Sequence, residues 1–170
     1  MPLITVENMQ VLLATDTDLD TVASIYEDTA QWLLARGIAR WTAVIPRELL
    51  AQRIGRGETY LAKYEQHTVA TMSVQEEDRL IWGDMPPDAL YLHGLAVRRA
   101  FTGRGVGVAL LRWAEQHAAL KGKIYLRLDC MGDNPRLVQY YKDAGFTHLR
   151  TVQVRDSSCA LFERLIEQTV

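Results

Sequence analysis

Apolar and polar positions change period repeatedly along the chain, and each change marks an element. Residues 9–14 form a short apolar run that predicts a strand. Thr15, Asp16 and Thr17 then offer helix caps before the stripe of Leu19, Val22, Ile25, Tyr26 and Leu33, which stops near Gly37. Pro46 opens a second, short helix that ends by Gly55 to Gly57. Residues 59–64 and 68–75 read as a hairpin turning through Glu65, Gln66 and His67, and the turn-rich segment 83–88 precedes a strand over 89–97. A helical period runs over 105–121 and stops before Gly122, and residues 124–130 alternate as a strand. Pro135, capped by Asp133 or Asn134, starts a helix that Gly145 terminates, and two strands, 146–154 and 158–165, close the chain.

Antiparallel hairpins come early in this order and two strand-helix-strand crossovers late. That combination predicts an α/β (α+β) fold, a mixed sheet with helices on its faces. At 170 residues the chain suits one domain, residues 1–170, with a core large enough to need no disulfide or metal. Hydrophobic content of 48% against 24% charged residues is that of an ordinary globule, and no apolar run reaches the length of a membrane span. A net charge of −2 without a basic stripe argues against nucleic acid as a partner. No leader is visible at the N-terminus, so the expected location is cytoplasmic. Cys130 and Cys159 lack ligand spacing and read as reduced, buried thiols, and His67, His117 and His148 do not group as metal ligands; no metal is expected.

Three glycines, Gly103, Gly105 and Gly107, stand where the strand over 89–97 gives way to the helix over 105–121. Glycine there lets the backbone take positive φ, and the unpaired N–H groups of a helix's first turn suit a pyrophosphate. A nucleotide P-loop is excluded, because no Gly-Lys-Ser/Thr occurs. The dinucleotide pattern fails as well, since Leu110 or Val108 occupies the third glycine position. The run Thr102-Gly103-Arg104-Gly105-Val106-Gly107 instead resembles the acetyl-CoA loop of the Gcn5-related N-acetyltransferases (GNAT), with Thr102 in place of the usual Arg or Gln. Further on, the run from Asn134 through Tyr140 and Tyr141 to Gly145-Phe146 resembles that family's second signature. The likeness covers about residues 90–146 well and the rest in outline.

The resemblance implies a mostly antiparallel seven-stranded sheet with about four helices, splayed between its fourth and fifth strands. It implies acetyl-CoA as co-substrate. The pantetheine arm would pair with Leu95, Ala96 and Val97, the pyrophosphate would rest on Thr102, Gly103, Arg104, Gly105, Val106, Gly107 and Val108, and Asn134 would reach the pantetheine. The acceptor would be a primary amine of a small molecule, attacked directly in a ternary complex, and a homodimer is common in the family. A non-catalytic acyl-CoA-binding or regulatory module, and an enzyme acting on a protein N-terminus or lysine, are the alternatives.

Acetyl transfer to an amine needs a base, because an ammonium with a pKa near 10 has no lone pair at neutral pH, and it needs a proton donor for the departing sulfur. Tyr141 matches the family's proton donor and lies two helical turns beyond Asn134 on the same face. His93 shares a strand face with Tyr91, Leu95 and Val97 by alternation, and its position matches the catalytic histidine of the arylalkylamine branch. Glu76, Asp78 and a water chain compete with it for the role of base. Trp32, Trp41 and Trp82 fall in segments that form the acceptor pocket in relatives, and with Glu76 and Asp78 they would suit a cation carrying an apolar body.

Overall fold

The computed structural model describes residues 1–38 and 45–167. In chain order its elements are β1 (Gln10–Leu13), α1 (Leu19–Leu34), α2 (Arg47–Gly55), β2 (Thr59–Tyr64), β3 (His67–Gln75), α3 (Arg79–Trp82), β4 (Ala89–Val97), α4 (Val106–Leu120), β5 (Tyr125–Met131), α5 (Pro135–Asp143), β6 (Thr147–Val154) and β7 (Ser157–Leu165). Single 3-10 turns precede α1 and α4. The seven strands form one sheet in the order β1-β2-β3-β4-β5-β7-β6. Its β1–β2, β2–β3, β5–β7 and β6–β7 pairs are antiparallel, and β4–β5 is parallel. The parallel ladder joins Ala89–Leu92 of the nine-residue β4 to Tyr125–Leu128 of β5. This is the mixed α/β fold expected from the sequence, with α3 as an additional one-turn helix in a segment expected to be loop.

The chain divides into two compact units. The first comprises Met1–Ser73 and Gly94–Trp113. Its core is the apolar stripe of α1, with Val22, Ile25 and Tyr26 buried beside Leu50 and Ile54 of α2, Leu61 of β2 and Ala96 of β4. Burying each large aliphatic side chain there contributes about 1.5–3 kcal/mol. A capping box starts the helical run: the Asp18 carboxylate accepts from the Thr15 N–H at 2.8 Å and from the Thr15 hydroxyl at 3.0 Å.

The second unit comprises Val74–His93 and Ala114–Val170. Trp82, Ala89, Tyr91, Cys159 and Leu161 make a core cluster in it. Arg127 is buried and fully engaged: its guanidinium donates to Glu163 at 2.7 Å, to Asp88 at 3.1 Å and to the Tyr91 hydroxyl at 3.0 Å. Such a network stabilises only as a set, since removing one acid leaves a buried charge uncompensated.

One position in β4 departs from strand geometry. Gly94 has φ +57°, the left-handed region that residues with a Cβ enter at a cost of about 1–2 kcal/mol. Its carbonyl accepts from the Tyr26 hydroxyl at 2.7 Å, and a Cβ built on it would stand 2.6 Å from that oxygen. Alternation is therefore broken here. Residues 89–92 are all buried and His93, Gly94 and Leu95 are half-buried, so the single face shared by Tyr91, His93, Leu95 and Val97 that alternation predicts does not run through Gly94.

Gly94→Ala should lower unfolding free energy by about 2–4 kcal/mol, the sum of left-handed strain and the contact with Tyr26. Urea denaturation of this variant and of Gly94→Ala/Tyr26→Phe would separate the two terms, the double variant regaining only the part due to the hydroxyl. A Gly94→Ala chain as stable as the parent would show that the turn is not required.

Candidate active site

The second unit gathers four of the groups that acetyl transfer could use. Asp78 caps α3: its Oδ1 accepts from the Ile81 N–H at 3.2 Å. That bond turns the other carboxylate oxygen, Oδ2, towards His93, whose Nε2 lies 3.5 Å away. Oδ2 is buried without a hydrogen-bond partner among the described residues. The other ring nitrogen, Nδ1, lies 3.9 Å from Asp129 Oδ1 of β5. The donor atoms of Asp78, His93 and Asp129 all fall within 4.8 Å of one another.

Burial in this cluster is deep enough to move pKa values. The Asp78, His93 and Asp129 side chains keep only 9%, 15% and 16% of their exposure. Burial, with the charge of Asp78 second, pushes the Asp129 carboxyl up to about 6. Burial also pushes the neighbouring Cys130 thiol up to about 12, helped by Asp129 and Cys159. A thiol held that high is not a thiolate at neutral pH, so Cys130 is unsuited to carry an acetyl group as a covalent intermediate.

Tyr141 lies on the buried face of α5, edge-on to Tyr140 with ring centroids 5.2 Å apart and tilted against Phe162 at 5.7 Å. Its hydroxyl is held in the protonated form, above the ordinary tyrosine range, first by burial and then by Tyr140, Cys130 and Asp129. Tyr140, its neighbour, is more exposed. Asn134 is the N-cap of α5, its Oδ1 accepting from the Leu137 N–H at 3.2 Å, which leaves its Nδ2 donors outside the cap.

The remaining expected acceptor-side residues separate. Glu76 is exposed and sits on two cations, Lys121 Nζ at 3.3 Å and Lys123 Nζ at 3.4 Å, which hold its carboxyl below the usual range. A carboxylate so stabilised is a poor base. Trp82 is buried in α3, T-shaped to Tyr91 at 5.7 Å. Trp32 on α1 carries the Arg99 guanidinium over its ring at 3.6 Å and that of Arg36 at 3.9 Å. Trp41 lies outside the described residues. A cleft of about 360 Å³ opens beside Asp78, lined by Glu77, Asp84, Met85, Pro86 and Tyr91 among others.

The glycine loop belongs to the first unit. A 3-10 turn, Arg99–Phe101, leads into it, and Gly103 and Gly105 take φ +76° and +85° before α4 starts at Val106. Gly105 also passes close to another strand of chain: a Cβ there would meet the Ile4 carbonyl at 3.0 Å. Gly103 faces open space. The loop is tied down by the Ile4 N–H, which donates to the Arg104 carbonyl at 2.7 Å. Thr102 turns inward, its hydroxyl donating to the Arg99 carbonyl at 2.8 Å. The cationic side chains nearby are all engaged: Arg98 with the Thr68 carbonyl and Ser24, Arg99 on Trp32, and Arg104 on the Pro2 carbonyl. Open left-handed glycines followed by a helix's unpaired first-turn amides fit a phosphate group.

Sequence reasoning did not find Asp129, Arg127 or the Gly94 turn. Asp129 sits between Leu128 and Cys130, and the signal available was the pair of charges, Arg127 and Asp129, in an otherwise apolar strand.

The family model described as "Acetyltransferase (GNAT) family" matches residues 23–146. Over 137 residues, 76% of this chain and 76% of the relative, the sequence is 31% identical to a Bacillus subtilis (strain 168) protein described as uncharacterized N-acetyltransferase YesJ. A GNAT-family acetyltransferase structure from Listeria monocytogenes 4b F2365 is similar at TM-score 0.80 and 27% identity, covering 92% of this chain and 94% of that one. The PaiA N-acetyltransferase of Thermoplasma acidophilum, solved in complex with coenzyme A, has the same fold at TM-score 0.73 and 18% identity, covering 92% and 98%. With both signature segments inside the matched region, the chain belongs to the GNAT acetyltransferase family.

Proposed function

We propose that the chain transfers the acetyl group of acetyl-CoA to a primary amine of a small molecule, by direct attack in a ternary complex. The observation that carries this reading is His93, half-buried, with a capped and oriented carboxylate at its Nε2. A proton on Nε2 facing Asp78 leaves the lone pair on Nδ1, which makes the imidazole a base. The acid-lined cleft beside Asp78 is of a size for a small cation, which favours a small amine over a protein terminus.

Acetyl-CoA, when bound, supplies the activated acyl thioester. Val106, Gly107 and Val108 would offer first-turn amides to its phosphates, Gly103 and Gly105 the backbone turn around them, and Leu95, Ala96 and Val97 strand-type hydrogen bonds to its pantetheine, with Asn134 able to donate from Nδ2. His93 removes one proton from the acceptor's ammonium and so exposes the nitrogen lone pair. Bond formation between that nitrogen and the acetyl carbon is matched by breaking of the carbon–sulfur bond. Tyr141 gives its proton to the sulfur, and the second proton lost by the nitrogen restores the phenol. His93 returns its proton to solvent, so the overall change is ammonium plus thioester to amide, thiol and one proton.

A panel of amines with acetyl-CoA, read by thiol release, tests the activity directly. Coenzyme A at a hundred to a thousand times its dissociation constant should stabilise the fold by roughly 2–4 kcal/mol in thermal denaturation, whereas NAD and ATP should do much less. Equal shifts from all three, or release of thiol with no amine in the panel, would overturn the reading.

Tyr141→Phe should lower kcat by about 10²- to 10⁴-fold with coenzyme A affinity unchanged, since one hydroxyl is lost and the ring packing stays. Turnover near that of the parent would leave Tyr141 as a packing residue and shift the test to Tyr140.

A further inference from the structure

We infer that Asp78, His93 and Asp129 form a binding site for a divalent transition-metal ion of the zinc class, and that an ion seated there silences acetyl transfer. The site stands on geometry. The silencing rests on the proposed reading, in which His93 is the base.

The three ligands come from three elements of the second unit: the N-cap of α3, β4 and β5. The parallel ladder ends with Leu92 opposite Leu128, and the next residue on each strand is a ligand, His93 on one and Asp129 on the other. One oxygen of each aspartate and one imidazole nitrogen all lie within 4.8 Å of one another. Donors bonded to one zinc ion at about 2.1 Å stand about 3.4 Å apart in a tetrahedron, so a spread of this size closes by small side-chain rotations. Asp78 already meets that spacing, its Oδ2 lying 3.5 Å from the ring.

Asp78 supplies an observation independent of the grouping. Its side chain keeps 9% of its exposure and its Oδ1 is committed to the Ile81 N–H. Its Oδ2, aimed into the cluster, accepts no hydrogen bond among the described residues. A buried carboxylate oxygen is normally satisfied by a donor or a cation. Among the described residues the only ion-pair partner of either aspartate is His93. Two buried carboxylates around one imidazole call for two positive charges. A dication supplies both, whereas a proton on the ring supplies one.

The donor set selects the ion. Calcium and magnesium take oxygen ligands, whereas imidazole combined with carboxylates suits zinc and its neighbours in the transition series. Three protein ligands leave one tetrahedral position open. The cleft of about 360 Å³ that Asp78 helps to line, with Glu77 and Asp84 in its wall, gives a cation its way in. An ion bound there takes an imidazole lone pair, and a metal-bound nitrogen cannot also remove a proton from an ammonium. It also places positive charge beside the cleft proposed for a cationic amine. No linear motif announces the set, since its members lie far apart in the chain.

The test uses the full chain, freed of metal with EDTA, dialysed, and titrated with zinc chloride by calorimetry. One zinc ion should bind per chain, and magnesium chloride should give no heat of binding. Asp78→Asn, which keeps a capping side chain, and Asp129→Asn should each weaken zinc by at least about 10- to 100-fold, no less than the loss of an outer-shell partner costs. His93→Gln should do the same, and circular dichroism of each variant separates a lost site from a lost fold. Glu77→Gln/Asp84→Asn, which alters only the wall of the cleft, should leave the affinity little changed. Cobalt(II) in place of zinc should give the visible absorption of a tetrahedral ion in the parent and lose it in the three ligand variants. With an amine acetylated by the parent, zinc should stop formation of the acetylated product over the concentrations at which calorimetry shows binding, and EDTA should restore it. Absence of zinc binding, equal binding by the parent and the folded ligand variants, or loss of binding in the cleft variant instead would overturn the site. Zinc bound at the site with the rate unaltered overturns the silencing. Failure of this inference thus shows as an active parent indifferent to zinc; failure of the underlying reading shows as a parent that binds zinc and acetylates no amine.

Discussion

The site depends on where β4 stops behaving as a regular strand. Up to Leu92 the strand is locked into a parallel ladder and buried on both faces, which leaves no room for a titratable group to meet a substrate. Two residues later Gly94 adopts left-handed backbone and hands its carbonyl to Tyr26. His93 lies between these two fixed points, so its backbone has little freedom to drift. A tyrosine whose hydroxyl is pushed up to about 12 by burial remains a donor at every physiological pH, so this anchor does not weaken with pH in that range.

Around that histidine the chain has used burial rather than added charge to set proton affinities. Asp129, Cys130 and Tyr141 are all moved upward, and desolvation is the largest cause for each. The three consequences differ because the ordinary values differ. Asp129 is brought to the edge of the neutral range, where a carboxylate still ionises but prefers a cationic partner. Cys130 is taken out of use as a nucleophile. Tyr141 is kept as a phenol, able to donate and unable to compete as a base. Glu76, close by in sequence but solvated and paired with two lysines, moves the opposite way, which makes its carboxylate the weaker base.

Element order and most boundaries were legible from hydropathy period and from the caps. Pro135 after Asn134 falls where its chemistry predicts, and of the three expected caps Thr15 starts the helical run, with Asp18 as an unforeseen partner. The glycine loop was legible too, because left-handed backbone at Gly103 and Gly105 is a local property that a local pattern can announce. The place of Asp129 was not, since its nearness to His93 arises across a parallel ladder, and no pattern within β5 encodes a neighbour on β4. Gly94 read as an ordinary strand glycine, although a glycine inside a strand is where alternation is most apt to break. Asp78 was recognised as a candidate, but its one-turn helix was too short to show a period, and the cap that aims its carboxylate went unread.

The departure at Thr102 follows from how the loop is built. A cation at that position would add attraction for a phosphate, and the neighbouring Arg98, Arg99 and Arg104 could be thought to replace it. Each of those side chains already has work inside the first unit: Arg98 ties Thr68 and Ser24, Arg99 lies flat on Trp32, and Arg104 holds the Pro2 carbonyl. Releasing any of them to meet an anion would forfeit those contacts. The threonine hydroxyl meanwhile closes the preceding turn on the Arg99 carbonyl, a bond that fixes the entry into Gly103. On the proposed reading, phosphate recognition would fall on backbone amides and the dipole of α4, which are short in range, so binding there would be governed by fit more than by long-range charge.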